Sequence, residues 1–86
     1  MKILIVEDEV LLADSLKTAL ERKGFTVETA YDGETGKEYA ELGVYDLLIL
    51  DVMMPKLNGF DLARQVREIR PATNIAFLSG YDDFEY

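Results

Sequence analysis

The 86-residue sequence contains no cysteine and no histidine. Without cysteine there is no disulfide framework, no thiolate nucleophile and no cysteine-ligated zinc. Without histidine there is no Ser-His-Asp triad, no imidazole metal ligand and no histidine general base. Positive charge is scarce: nine Lys and Arg stand against seventeen Asp and Glu, for a net charge of −8. That is the wrong sign for a free-standing nucleic-acid binder, whereas a hard cation or a partner with a basic face is readily accommodated. Long apolar runs are missing too. The opening Met1–Val6 meets Glu7-Asp8-Glu9 at once, unlike a signal peptide. No stretch approaches the ~18 apolar residues of a membrane helix, so a cytoplasmic location is expected. What is present is a soluble, globular composition, 49% hydrophobic and 30% charged. Size scaling buries about 64% of the unfolded surface of such a chain, enough for one core.

Along the chain the hydrophobic period alternates. Lys2–Val6 is a short β-branched run suited to a buried strand. Val10–Lys23 switches to helical spacing with Leu12, Leu16 and Leu20, beside Ala13 and Ala19, and Gly24 supplies a stop. Phe25–Ala30 alternates as a second strand, Glu34–Leu42 forms a weaker helix ending at Gly43, and Leu47–Leu50 is an apolar third strand expected to be covered on both faces. After a loop containing Pro55 and Asn58-Gly59, Leu62, Val66 and Ile69 mark a third helix closed by Pro71. Asn74–Leu78 is a fourth strand, and Asp82-Asp83-Phe84-Glu85-Tyr86 reads as the first turn of a fourth helix. The expected class is α/β: an open parallel sheet in a βαβαβαβ order, with helical crossovers covering it.

Ligands of open parallel sheets bind at the carboxyl ends of the strands. Glu7, Asp8 and Glu9 follow the first strand, Asp51 follows the third, and Ser79 follows the fourth. Taken alone, Asp8 suits capping of the first helix and Glu9 its first turn. If the first and third strands are neighbours, however, Glu7, Asp8 and Asp51 share a cleft. Three like charges there either raise the pKa values, so that a carboxyl keeps its proton, or are balanced by a cation. An oxygen-only ligand set favours Mg²⁺ over Zn²⁺. A carboxylate beside Mg²⁺ can also act as a nucleophile toward phosphorus, forming an aspartyl phosphate. Other signatures are missing. No GxGxxG follows the first strand, no GxxxxGK[ST] occurs, and Ser79 lacks a G-x-S-x-G elbow. A hydroxyl at Ser79 suits a hydrogen bond to a phosphoryl oxygen, or simply begins the loop before Gly80.

These residues resemble the receiver (response regulator, CheY-like) domains of two-component signalling. The likeness runs through Ile3-Leu4-Ile5-Val6-Glu7-Asp8-Glu9 and through Tyr45-Asp46-Leu47-Leu48-Ile49-Leu50-Asp51-Val52-Met53-Met54-Pro55-Lys56-Leu57-Asn58-Gly59. The resemblance implies a flavodoxin-like fold with strand order 2-1-3-4-5. It implies Asp51 as the phosphorylated residue and Asp8 as a direct Mg²⁺ ligand. Glu7 would act largely through metal-bound water, Met53 through its backbone carbonyl, and Ser79 by turning toward the phosphoryl group. The donor would be the phosphohistidine of a sensor kinase, with the receiver an acceptor rather than an enzyme. Residues 77–86 further resemble receivers joined to AraC-like DNA-binding domains, while the earlier half resembles those with winged-helix outputs.

The resemblance also sets expectations about extent. Residues 1–86 read as the N-terminal portion of a receiver, lacking the fifth strand and helix. The family's fifth strand ends in a Lys-Pro pair and carries an aromatic switch residue, and this sequence has no Lys-Pro dipeptide. Lys56 follows Pro55 in another loop and does not fill that role. The expected consequences are impaired signalling and a fourth strand left as an edge. That edge would promote homo-oligomers or recruit a complementing partner. The alternative reading is a fragment that serves only as a folding or assembly module. A Mg²⁺-dependent phosphohydrolase would need a second acid two residues after Asp51, where Met53 stands.

Overall fold

A computed structural model describes residues 1–78 of the chain. Four strands and three helices alternate: β1 Lys2–Val6, α1 Val10–Arg22, β2 Thr26–Ala30, α2 Gly33–Glu41, β3 Leu47–Asp51, α3 Gly59–Ile69 and β4 Asn74–Leu78. The strands form one parallel sheet in the order β2-β1-β3-β4. The expected open α/β sheet is therefore present, with the first and third strands adjacent. Ser79 and the helix start expected at residues 82–86 lie outside the described residues.

Period-2 alternation along β1 divides the core in two. Leu4 and Val6 face Leu48, Leu50, Ala40, Leu62, Ala63 and Val66, so α2 and α3 cover one face of the sheet. Ile3 and Ile5 face Val27, Ala13, Leu16 and Leu20, so α1 covers the other. Burying a side chain such as Leu4 or Leu50 contributes about 1.5–3 kcal/mol relative to leaving it exposed. Their position at the sheet centre makes β1 and β3 the rigid platform of the molecule.

Several local expectations are corrected. The buried stripe of α1 is Ala13, Leu16 and Leu20, while Leu12 faces outward. The larger Leu12 marked the stripe in the sequence, but a 100° turn per residue puts Ala13 against the sheet. β3 is not fully covered on both faces: Leu48 and Leu50 are buried, whereas Leu47 and Ile49 are half-buried. Among the described residues, α1 is the only helix on that face and it lies over β1 and β2. Ile69 is exposed at the end of α3, beyond the seam made by Leu62 and Val66.

Glycines in the left-handed region follow the first two helices. Gly24 takes φ +96° after α1, a conformation costly for any residue with a Cβ. Gly43 takes φ +72° after α2, and there the Arg70 guanidinium lies against it and donates to the Glu41 carbonyl at 3.1 Å.

Candidate functional site

Sheet register determines what meets at the carboxyl edge. Val6 pairs with Ala30 on one side and Leu50 on the other, so Glu7 and Asp51 leave adjacent strands at the same level. The Glu7 amide continues the ladder to the Ala30 carbonyl at 3.0 Å. That bond holds Glu7 in extended backbone at the sheet edge. Carboxylate oxygens of Glu7, Asp8 and Asp51 consequently lie within 4.8 Å of one another. Glu7 is 2% exposed and Asp51 3%, while Asp8 is the more open member.

Backbone donors orient two of the three. The Glu9 amide donates to Glu7 Oε2 at 2.9 Å, and the Met53 amide donates to Asp51 Oδ1 at 3.1 Å. The expected capping of α1 by Asp8 is not what forms. Glu9 occupies the N-cap position and makes no side-chain cap bond, and the first turn of α1 carries no acid. Glu7 and Asp8 cluster with Asp51 instead, so their placement serves the cleft rather than the helix end.

Crowding has an electrostatic cost. Burial, followed by the neighbouring Asp8 and Asp51, pushes the Glu7 carboxyl up to about 7, against a partly offsetting bond from the Glu9 amide. Burial also raises Asp51, with Asp8 adding to the effect and the Met53 amide opposing it. Both shifts favour a proton on these neighbouring carboxyls when no cation is bound. Buried carboxylates held this close, with only oxygen donors, fit a hard divalent cation, whose charge would displace that proton.

The loop after β3 completes the site. Asn58 caps α3, its side chain accepting from the Asp61 amide at 2.9 Å. Lys56 takes φ +70° and the Leu57 amide donates back to the Pro55 carbonyl at 2.8 Å, folding the loop tightly. Met53 and Phe60 stand exposed beside it, and Phe60 packs on Phe77 of β4 with ring centroids 4.9 Å apart. The structure thus brings Glu7, Asp8 and Asp51 together, with Met53 bonded to Asp51. Ser79 lies outside the described residues. Gly59 has no chemistry that marks it in the sequence as part of a site, and the cap pattern Asn58…Asp61 is the available signal that α3 begins there.

The family model for the response regulator receiver domain matches residues 3–86. The chain belongs to the response regulator receiver family. Among its relatives, the transcriptional regulatory protein DltR of Streptococcus agalactiae is 43% identical over 80 residues. The match takes in 93% of this chain and 36% of DltR, so this receiver spans about a third of that regulator's length. The response regulator TrrA of Thermotoga maritima, solved in complex with Mg²⁺–BeF, superposes with a TM-score of 0.89 at 34% identity, covering 94% of this chain and 70% of that one. A second solved structure, of the histidine kinase ThkA in complex with TrrA, matches with a TM-score of 0.88 at 33% identity, over 99% of this chain and 73% of that one. The receiver's acidic cluster sits at the sheet edge where open parallel sheets place their sites. No helix among the described residues is long and apolar enough to cross a membrane.

Proposed function

We propose that the chain is the phosphoacceptor part of a two-component response regulator, taking a phosphoryl group from a sensor kinase phosphohistidine onto Asp51. The observation that carries this is the buried pair Glu7 and Asp51, brought within reach of Asp8 and oriented by backbone amides. In the transfer, an Asp51 carboxylate oxygen attacks phosphorus. The new O–P bond forms as the donor's N–P bond breaks, and the imidazole leaves and takes up a proton. The chain has no histidine of its own, so the donor comes from another molecule. The complex of TrrA with the kinase ThkA supports that partner class.

Glu7, Asp8, Asp51 and the Met53 carbonyl are the groups proposed to hold Mg²⁺, and Ser79 the hydroxyl that meets the phosphoryl group. A bound Mg²⁺ would supply neutralisation of charge on the transferred phosphoryl oxygens. The protein's own contribution is positional: the Met53 amide fixes one Asp51 oxygen, and the β1–β3 platform keeps the carboxylate from swinging away. Regulation of transcription would fall to other parts of a longer protein in the cytoplasm, since the −8 charge here opposes DNA contact. Residues 1–86 are read as receiver sequence throughout, an acceptor without turnover of its own.

Intact-mass analysis after incubation with acetyl phosphate and Mg²⁺ tests the assignment. The wild-type chain should gain one phosphoryl group and Asp51→Asn should gain none. Equal modification of both overturns it. A second reading, in which the chain assembles through β4, draws on the exposed Phe60 and Phe77 beside that outermost strand of the described sheet, 55% and 42% exposed.

A further inference from the structure

We propose that Gly59 is a positioning residue for the acidic site: its lack of a side chain lets the start of α3 seat against the Asp51–Val52 backbone and so fixes the Asp51 carboxylate and the Met53 amide. The inference rests on the reading of Asp51 as phosphoacceptor and deepens it. An ideal Cβ at Gly59 would lie 2.3 Å from the Asp51 carbonyl oxygen, 2.9 Å from its carbonyl carbon and 3.0 Å from Val52 Cα. All three are backbone atoms, which cannot rotate aside as a side chain can. Real Cβ contacts essentially never fall below 3.0 Å, so any larger residue must open this seat by several tenths of an ångström.

The requirement is for space and not for a special dihedral. Gly59 does not occupy the left-handed region, unlike Gly24 and Gly43. Its neighbours also differ from those of the other glycines. A Cβ at Gly36 would meet Val6 methyl groups, one at Gly33 would meet mainly the Leu57 side chain, and one at Gly43 would meet the Arg70 guanidinium. Among the described residues, Gly59 is the glycine whose close neighbours are backbone alone. Its own amide donates to the Val52 carbonyl at 3.2 Å, tying the helix start to the residue between Asp51 and Met53. A shift of this strand end moves Asp51 directly. It also moves the Met53 amide, whose 3.1 Å bond orients the Asp51 carboxylate. Sub-ångström displacement of such groups is sufficient to weaken a metal or phosphoryl site.

The test compares Gly59→Ala with Gly24→Ala in the full chain. Gly24 has no atom within 4 Å of an added Cβ but takes φ +96°, so its variant loses stability through backbone conformation in the α1–β2 turn. Three quantities are measured: the Mg²⁺ dissociation constant by calorimetry, Met53 amide exchange in metal-free protein by NMR, and the rate of phosphoryl uptake from acetyl phosphate at saturating Mg²⁺. Gly59→Ala should weaken Mg²⁺ binding about tenfold or more and lose Met53 protection, while Gly24→Ala stays within about twofold of wild type. A folded Gly59→Ala with wild-type Mg²⁺ affinity and Met53 protection overturns the proposal. If Gly59→Ala does not fold, Asn58→Ala decides. It frees the same helix start without adding an atom against Asp51, and should weaken Mg²⁺ binding; unchanged affinity overturns the proposal. A wild-type chain that neither binds Mg²⁺ nor takes up phosphoryl overturns the phosphoacceptor reading and this inference together. Normal wild-type behaviour with a normal Gly59→Ala overturns this inference alone.

Discussion

Glu7 holds its proton far longer in the folded chain than an exposed carboxylate would, with its pKa at about 7 instead of 4.5. Between those two values the folded state binds more protons than the unfolded state, so stability falls as pH rises through the window. Asp51, raised in the same direction, adds to the slope. Glu7→Gln should flatten this dependence and leave the metal-free protein more stable at pH 8, as read by urea unfolding at pH 5 and pH 8. It should also weaken Mg²⁺ binding. A variant as pH-dependent as wild type would show that burial of Glu7 does not govern the slope. At this scale much of the site was legible: Glu7, Asp8 and Asp51 were marked by residue type and by position after their strands. What could not be read was their division of labour. The sequence leaves Asp8 suited both to capping α1 and to the cleft, and the 2.9 Å bond from the Glu9 amide to Glu7 shows the backbone committed to the carboxylate cluster.

Helix ends and helix seats decide how well α2 and α3 hold that cluster. Asp32 caps α2, accepting from the Thr35 amide at 2.7 Å and from its hydroxyl at 3.0 Å. These bonds hold the Asp32 carboxyl below its usual range, so its contribution is present above that range and is lost as pH falls through the lowered value. Asp32→Ala should cost about 1 kcal/mol in urea unfolding at pH 7. A loss that does not shrink under acid conditions would count against the carboxylate as the active group. One turn later, a Cβ at Gly36 would lie 2.7 Å from both Val6 methyl groups. Gly36→Ala gains helix propensity of about 1 kcal/mol but overpacks the core by about 1–3 kcal/mol, so a net loss is expected. Adding Val6→Ala should restore part of it, and strict additivity in the double-mutant cycle would deny the contact. Element type and order were readable because the period switches between 2 and 3.6. The caps were less so: Asn58-Gly59 read as part of a loop, because the same residues serve both purposes. Close approaches such as Gly36 on Val6 or Gly59 on Asp51 depend on tertiary packing, which no local pattern encodes.

For the molecule as a whole, two opposing tendencies meet at β4. Its hydrogen-bonded neighbour within the described sheet is β3, and its Phe77 and the adjacent Phe60 present apolar surface to solvent. Both features favour pairing with a second copy. Each copy, however, carries a net charge of −8, so approach is resisted at low ionic strength. Raising the salt shortens the screening length from about 30 Å at 0.01 M to about 10 Å at 0.1 M, removing repulsion while leaving apolar contact intact. Self-association of the 86-residue chain should therefore strengthen with added salt, the reverse of an association held by ion pairs. Sedimentation velocity at about 0.01, 0.1 and 0.5 M NaCl measures this directly. Phe77→Lys puts a charge on the outermost strand of the described sheet and should shift the chain toward monomer at every salt concentration. A wild-type chain that is monomeric throughout the series, at concentrations up to about 100 µM where even weak complexes of roughly 6 kcal/mol would register, removes the assembly reading and leaves the phosphoacceptor reading standing alone.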